Sequence, residues 1–210
     1  ATNLASMSLK LQHGEVTVRL VRVRDAKQLE QQILGHRAWL RPWEATNPSG
    51  PNSFDIKRMI RGLLRQADQM QGLPFVIEYQ GQLVGQLNVA NILYGSVSSA
   101  NIGYWVSPDV AGKGITPTAV ALVSDYLFNF VGIHRIQIDI RPENAASLRV
   151  VEKLGFRYEG TKQAYIHING DWRDHHSFAL TAPEAEGGLL NRWIRGQINP
   201  PKYPFRSTDI

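Results

Sequence analysis

The sequence predicts a single α+β domain with a mainly antiparallel sheet. Segments that alternate apolar and polar residues are interleaved with segments of helical periodicity, without the regular βαβ repeat of a parallel sheet. The chain has 210 residues, enough for one large domain or two small ones. Hydrophobic residues make up 43% and charged residues 20%, a composition typical of folded globular proteins.

The first half of this domain begins with a strand and two helices. Val16–Val23 alternates apolar and polar side chains, which predicts a half-buried strand. A helix follows over about 26–38, with Asp25 as its cap. The stretch 41–51 is rich in turn formers and predicts a loop, and apolar residues at helical spacing predict a second helix over 54–67.

The middle of the chain predicts a hairpin, a strand, a glycine turn and a helix. The two hairpin strands flank Gln80-Gly81-Gln82, and the turn contains Gly112 and Gly114. Pro117 is expected at the first helical position, where its missing N–H costs nothing. The segments, in order, are 74–79, 83–92, 99–106, 107–116 and 117–130.

The last part predicts a strand, a short helix and a closing hairpin. Asn144 opens the helix and Gly155 closes it, while Asn169-Gly170 marks the hairpin turn. The extended segments are 134–140, 156–158, 164–168 and 174–180. The expected domain therefore covers 16–182, with an N-terminal extension over 1–15 and a C-terminal extension over 183–210 that wraps on the surface.

Composition and charge exclude several classes of protein. The chain has no Cys, which rules out a disulfide scaffold, an iron–sulfur or Cys-based zinc site, and a cysteine nucleophile. No apolar run approaches the roughly 18 residues that span a bilayer. The N-terminus lacks a signal-peptide pattern, so we expect a cytoplasmic protein without a membrane partner. The net charge of +5 suits a nucleotide-like anion, although charge alone favours a solvated basic surface.

The most informative segment is a strand that leads through Gly112-Lys113-Gly114 into a helix. Glycines allow close approach to an anion, and the helix N-terminus offers free N–H groups, so the turn predicts a pyrophosphate cradle. A tight turn that merely needs glycine is an equal alternative. The P-loop pattern is absent. A dinucleotide-binding turn stays open because Asp139 stands where its acidic residue is expected, although Pro117 replaces its third glycine.

Two motifs in order carry a resemblance to a known family. The first is Tyr104-Trp-Val-Ser-Pro with Gly112-Lys-Gly, and the second is Asn144-Ala-Ala-Ser147 with Glu152-Lys-Leu-Gly-Phe156. Over about residues 16–182 the chain resembles the GNAT superfamily of N-acetyltransferases and, within it, the RimJ/RimL branch of ribosomal-protein alanine N-acetyltransferases. The resemblance implies a GNAT fold, in which helices flank a twisted mixed sheet and a central strand splays at the acetyl-CoA site. It also implies acetyl-CoA as co-substrate and no metal.

The resemblance also implies the residues of the site. The splayed strand would bind the pantetheine arm by its backbone, the glycine turn would hold the pyrophosphate, and Arg149 and Lys153 could reach a CoA phosphate. The Ser147 hydroxyl would protonate the leaving thiolate. Taken alone, Asn144 and Ser147 are better explained as residues that cap the helix, and a solvated helix face explains the two basic residues at least as well. The resemblance favours a dual role for Asn144 and Ser147. The expected cofactor contacts are Trp105, Val106, Ser107, Val110, Ala111, Gly112, Lys113, Gly114, Ile115, Thr116, Asn144, Ser147, Arg149 and Lys153.

The catalytic base is the feature for which this sequence departs most from the family pattern. Many relatives have Glu where this chain has Asn101, which cannot accept a proton, and Asp109 replaces a residue that is usually Gln or Arg. Glu78 and Glu44 are candidate bases, although an exposed acid without a role is the favoured interpretation of each. The expected catalytic set is therefore Ser147, Asn144 and Glu78. Four histidines are further candidates for proton transfer, because the unperturbed pKa of the histidine side chain lies near neutrality: His134, His167, His175 and His176.

The predicted activity is acetyl transfer to an amine by direct attack. An α-amine has a pKa near 8, so part of it is already neutral at pH 7. The expected acceptor is the N-terminal α-amine of a protein, with association to the ribosome. A small-molecule amine and a non-catalytic CoA-binding protein are the alternatives, and both monomer and homodimer stay open. Aromatic residues expected to line the acceptor groove are Trp39, Trp43, Tyr94, Tyr165 and Trp172.

Overall fold

The computed structural model describes residues 8–50 and 54–205, which form eight strands and six α-helices. The strands are β1 Lys10–His13, β2 Val16–Leu20, β3 Leu73–Tyr79, β4 Gln82–Leu93, β5 Ser99–Val106, β6 Arg135–Ile140, β7 Arg157–Ile168 and β8 Asp171–Thr181. The helices are α1 Ala26–Gly35, α2 Arg37–Leu40, α3 Ile56–Asp68, α4 Ile115–Tyr126, α5 Ala145–Lys153 and α6 Leu189–Ile194. A π-helical segment, Leu127–Val131, continues α4.

All eight strands form one sheet, in the order β1-β2-β3-β4-β5-β6-β8-β7. Neighbouring strands are antiparallel except β5 and β6, which pair in parallel only at Ser99–Asn101 with Arg135–Gln137. Beyond this point the two strands diverge, and Ile102–Val106 of β5 has no strand partner on that side. The structure thus confirms the mixed, mainly antiparallel sheet with a splayed central strand.

Helices cover both faces of the sheet. On one face, α4 is buried along most of its length and packs against the alternating apolar residues of the central strands, such as Ile102, Ile136 and Ile138. On the other face, α1 and α3 enclose a smaller cluster that includes Leu29 and Ile60. Within the described ranges, no helix is long and apolar enough to cross a membrane.

The C-terminal segment is part of the folded domain. Both oxygens of the Asp125 carboxylate on α4 accept hydrogen bonds from the backbone N–H groups of Leu189 and Leu190, at 2.7 and 3.0 Å. This bond pair satisfies the free N–H groups at the start of α6 and fixes α6 against α4. Further along, the Tyr203 hydroxyl donates to the carbonyl of Phe156 at 2.7 Å. Residues 183–205 therefore complete the domain.

Several local predictions need correction. The sheet begins before residue 16, because Lys10–His13 pairs with β2. The helix expected over 26–38 is interrupted at His36, and the carboxylate of Asp25 binds Arg19 and the N–H of Arg22 rather than capping α1. Helix α4 begins at Ile115, so Pro117 occupies the third helical position. It is still tolerated there, since the N–H groups of the first turn have no partner within the helix.

Gly85 on β4 is required by a close approach of β5. A Cβ at this position would overlap the carbonyl oxygen of Trp105 and lie 3.0 Å from Cα of Val106. We expect Gly85→Ala to lower the free energy of unfolding by about 3 kcal/mol, because backbone must move to accommodate the methyl group. Urea unfolding measures this value. Gly35→Ala is the control, since a Cβ there meets nothing within 4 Å, and an equal loss in both variants would contradict the prediction.

Candidate active site

The divergence of β5 and β6 opens a crevice, which we call the splay crevice, formed by two adjoining cavities. Trp43, Tyr104, Asn144 and Ser147 line both cavities. The first, of about 90 Å³, is also lined by Trp39, Leu40, Trp105, Val106, Thr116, Ala146 and Val150. The second, of about 120 Å³, is also lined by Ile102, Gly103, Ile138, Asp139, Ile140, Arg141 and His175.

One end of the splay crevice meets the glycine turn before α4. Gly112 and Gly114 have φ angles of +79° and +72°, a left-handed conformation that glycine adopts without strain. Gly114 is the N-cap of α4, so the N–H groups of Ile115 and Thr116 face the turn without partners from a preceding helical turn. Since Thr116 also lines the first cavity, the turn and the crevice form a continuous surface that suits an anionic group followed by a narrow chain.

Asn144 and Ser147 meet at the start of α5. The Asn144 side-chain oxygen accepts a hydrogen bond from the Ser147 N–H at 3.2 Å, which confirms that Asn144 caps this helix. Ser147 lines both cavities of the splay crevice, and its hydroxyl makes no hydrogen bond to any described residue. Its position is consistent with the predicted donor to a thiolate, and that role stays a prediction.

Tyr104 is a functional candidate that the sequence analysis did not include. Tyr104 lines both cavities, and its hydroxyl donates to the Ser147 carbonyl at 3.3 Å. Burial raises the pKa of Tyr104 well above its ordinary value, so the hydroxyl keeps its proton at neutral pH. The sequence signal that could have identified Tyr104 is the alternation of side chains along β5, because residues two apart on a strand, such as Ile102 and Tyr104, point to the same face of the sheet.

The second cavity contains the polar residues Asp139 and His175. An Asp139 carboxylate oxygen accepts hydrogen bonds from the Ser177 hydroxyl at 2.6 Å and the Lys162 ammonium at 3.2 Å. Asp139 is thereby held within the sheet, and the structure does not support it as the ribose acid of a dinucleotide site. The His175 side chain is 4% exposed, and Nδ1 lies 3.0 Å from the Arg173 carbonyl. Burial lowers the pKa of His175 below its ordinary value.

A loop that carries Trp43 covers the splay crevice. The Arg141 guanidinium donates to the Pro42 carbonyl at 2.6 Å and lies over the Trp43 ring, 5.5 Å from its centroid. Beyond Trp43, the Thr46 N–H donates to the His167 carbonyl of β7 at 2.8 Å. The loop is thus fixed at both ends. Of the aromatic residues expected in the acceptor groove, Trp39 and Trp43 line the crevice, whereas Tyr94 donates to Met70 elsewhere.

Glu78 does not lie at the splay crevice. Its carboxylate accepts a hydrogen bond from Arg19 Nε at 2.6 Å, and Arg19 also pairs with the buried Asp25. Glu44 lines neither cavity. The structure therefore does not bring either glutamate to Ser147 and Asn144, which makes both poor candidates for the base.

The other predicted cofactor residues surround the glycine turn. Ser107 is buried, and its hydroxyl lies 3.1 Å from His36 Nε2, while Asp109 next to it is exposed. Val110 is partly buried and Ala111 is exposed. The Lys113 ammonium lies over the Tyr79 ring, 5.5 Å from its centroid.

The C-terminal segment adds an aromatic wall beside this turn. A Cβ on Gly114 would lie 3.2 Å from the Trp193 ring, which shows how closely α6 approaches the turn. Trp193 also lines an open cavity of about 330 Å³ together with Glu152, Lys153, Gly196, Ile198 and Pro200. Arg149 and Lys153 are exposed on α5. Sequence reasoning missed Trp193 because its neighbours come from distant parts of the chain.

The described residues show no metal centre. No three His, Asp or Glu side chains of residues 8–50 and 54–205 come close enough together to hold an ion. His175 faces the splay crevice, whereas His176 stacks on Phe205 with ring centroids 4.4 Å apart. The two histidines therefore point to opposite faces of β8, as alternation along a strand requires.

Comparison with known proteins identifies the family. A family model described as an acetyltransferase (GNAT) domain matches residues 15–157. The chain is 30% identical over 183 residues to the ribosomal protein uS5 alanine N-acetyltransferase of Escherichia coli, covering 84% of this chain and 92% of that protein. It is 36% identical to the solved structure of Mycobacterium smegmatis RimJ in complex with CoA-disulfide, with a TM-score of 0.82 over 90% of this chain and 93% of that one. A match of 105 residues at 40% identity to the probable N-acetyltransferase YjcK of Bacillus subtilis covers 50% of this chain and 58% of that protein.

The chain therefore belongs to the GNAT acetyltransferase family. The predicted family, fold and enzyme class are confirmed: the chain is an N-acetyltransferase, with acetyl-CoA as its co-substrate. The splay crevice is consistent with this class, since it joins a glycine turn at a helix N-terminus, a geometry that suits an anion, to a polar cavity. The dinucleotide-binding and non-catalytic alternatives are not supported.

Proposed function

We propose that this N-acetyltransferase acetylates the N-terminal α-amine of a protein, with a ribosomal protein as its acceptor. One observation carries the proposal: the splay crevice connects the glycine turn before α4 with a second, polar opening at Asp139 and His175. Acetyl-CoA and an amine can therefore approach the same point from opposite ends. The similarity to the Escherichia coli uS5 alanine N-acetyltransferase supports this choice of acceptor.

The donor is assigned to the side of the crevice that contains the glycine turn. N–H groups of the turn and of the first turn of α4 would bind the pyrophosphate. The unpaired edge of β5 over Ile102–Val106 leaves backbone groups free to bind the pantetheine arm. With this assignment the thioester would lie near Ser147 and Tyr104, which line both cavities.

The reaction is direct attack of a neutral amine on the thioester carbonyl carbon. The tetrahedral intermediate carries a negative oxygen, which a β5 backbone N–H near Val106 would stabilise. When the C–S bond breaks, the CoA thiolate takes a proton from a hydroxyl, and Ser147 supplies the free hydroxyl at this point. The contacts of the glycine turn and β5 with CoA, and the roles of Asn144 and Ser147 in the reaction, belong to this proposal.

The acceptor is assigned to the second cavity. Its volume of about 120 Å³ fits a small first residue such as alanine or serine, and the fixed loop at Trp43 limits larger side chains. Trp39 lines the adjoining first cavity, is 45% exposed and offers an apolar surface to the following residues of a peptide. A protein N-terminus with a small first residue matches these features.

The first experiment is a thermal-shift titration followed by an acceptor screen. Acetyl-CoA and CoA should raise the melting temperature, whereas NADH and ATP should not, because only a ligand of the native state stabilises it. Mass spectrometry then follows acetylation of peptides that begin with Ala, Ser or Phe, with spermidine as the small amine. Acetylation of the Ala or Ser peptide supports the proposal. Turnover of spermidine alone, or of an internal lysine alone, would refute it.

Trp193 gives a test of the donor side. Stacking of a nucleobase on an aromatic ring contributes about 1–3 kcal/mol. If the adenine of CoA occupies the cavity beside Trp193, Trp193→Ala raises the KM for acetyl-CoA about 10-fold and leaves the KM for peptide unchanged. Steady-state kinetics provide the comparison. Ile194→Ala on the same helix is the control, because Ile194 is half exposed and does not line the cavity.

A further inference from the structure

The tautomer of His175 is fixed by its backbone contact. A carbonyl oxygen can only accept a hydrogen bond, so the 3.0 Å contact with the Arg173 carbonyl requires a proton on Nδ1. In the neutral imidazole, Nε2 then has a free lone pair. This atom makes no hydrogen bond to any residue in 8–50 or 54–205, and the side chain lines the second cavity. A neutral, positioned proton acceptor thus faces the cavity assigned to the acceptor.

We infer that His175 is the catalytic base that deprotonates the acceptor amine through Nε2, either directly or across one water. The inference rests on the proposed function. The ammonium N–H bond breaks and its proton passes to Nε2, which leaves a neutral amine. This amine forms the N–C bond to the thioester carbon, and the C–S bond breaks. The crevice hydroxyl gives its proton to the thiolate, and the second proton of the nitrogen passes to the oxygen of that hydroxyl, directly or across one water, so that the hydroxyl is restored.

No other acid–base group of the described chain fills this role as well. Glu78 is paired with Arg19, and Glu44 does not line the crevice. Asp139 lies in the same cavity, but its carboxylate is held by the Ser177 hydroxyl and the Lys162 ammonium. Asn101 cannot accept a proton. His175 is thus the base that remains where the sequence lacks the usual glutamate.

The surroundings of His175 set the sign of its pH dependence. Burial is the largest effect and lowers its pKa below the ordinary 6.5, so the ring is neutral at pH 7. The Arg173 carbonyl and the carboxylates of Asp139 and Glu143 oppose this, while Arg141 adds to it. Lys162 lies opposite on β7, and the Tyr165 ring contacts the imidazole edge-on. The base is therefore lost only as the pH falls below about 6.5.

The test compares His175→Gln with the wild type on an Ala-initiated peptide. Glutamine keeps hydrogen bonding but cannot take the proton. We expect kcat to fall at least about 10-fold at pH 7, because only roughly a tenth of an α-amine with a pKa near 8 is neutral there. We also expect kcat of the variant to rise with pH up to the pKa of the amine, whereas wild-type kcat is flat above pH 7. A peptide with an aminooxy terminus, which is neutral at pH 7, should restore most of the lost rate.

The control is His176→Gln, the neighbouring histidine on the opposite face of β8. It should retain wild-type kcat and the wild-type pH profile, and thermal melts report whether each variant folds. A wild-type kcat and profile in His175→Gln would overturn the inference, as would an equal defect with the aminooxy peptide. If the wild type itself acetylates no peptide, the proposed function fails instead, which is a distinct result.

Discussion

Gly114→Val should raise the KM for acetyl-CoA about 100-fold. Gly114 has φ +72°, where a β-branched residue is strongly disfavoured, and an added Cβ would lie 3.2 Å from the Trp193 ring. The turn must therefore change conformation, which would withdraw its N–H groups from the proposed pyrophosphate site. Hydrogen bonds to a charged group contribute about 1.5–3 kcal/mol each, so losing one or two accounts for an effect of this size. Steady-state kinetics with varied acetyl-CoA measure it.

The other end of the same helical segment provides a matched control. Gly132 follows Leu127–Val131 with φ +82°, and a Cβ there would meet nothing within 4 Å. Gly132→Val carries a similar backbone strain but lies at the end away from the glycine turn. It should lower the melting temperature while leaving the KM for acetyl-CoA within about 2-fold, a negligible free energy. A KM that rises equally in both variants would show that general destabilisation is responsible.

Local patterns were sufficient to predict most of the central sheet and the glycine turn. Alternation along β5 and β6, and the Asn144 cap of α5, are determined by residues close in sequence. The two motifs that flank these elements indicated the family, because their order and spacing reflect the same splayed geometry. Such features need no knowledge of distant contacts, which is why the sequence alone revealed them.

The features that were missed depend on contacts between distant residues. Asp125 fixes α6 through bonds that span 64 and 65 residues, so nothing near Leu189 indicates that the C-terminal segment completes the domain. Glu78 is a poor candidate for the base because its carboxylate pairs with Arg19, which is 59 residues away in sequence. His175 was one of four candidate histidines among the six in the sequence. Only the folded sheet shows that it alone of these four lines the splay crevice.

Ser147→Ala should lower kcat about 100-fold with little change in the KM for acetyl-CoA. The substitution removes only the hydroxyl, since the Ser147 N–H that Asn144 accepts from is kept, and alanine is a good helix former. Helix α5 should therefore stay intact. Without a proton donor beside the sulfur, the thiolate must leave as an anion, and general acid catalysis typically contributes 10² to 10⁴-fold.

The Tyr104 hydroxyl distinguishes this role of Ser147 from its main competitor. Tyr104 lines the same two cavities and keeps its proton because burial raises its pKa, but its hydroxyl already donates to the Ser147 carbonyl. We expect Tyr104→Phe to reduce kcat less than Ser147→Ala does, because a free hydroxyl can turn to the sulfur without breaking an existing bond. Single-turnover rates with acetyl-CoA and an Ala-initiated peptide separate the two. A larger defect in Tyr104→Phe than in Ser147→Ala would assign the role of proton donor to the tyrosine. If the double variant is no slower than the slower of the two single variants, both hydroxyls act in one relay.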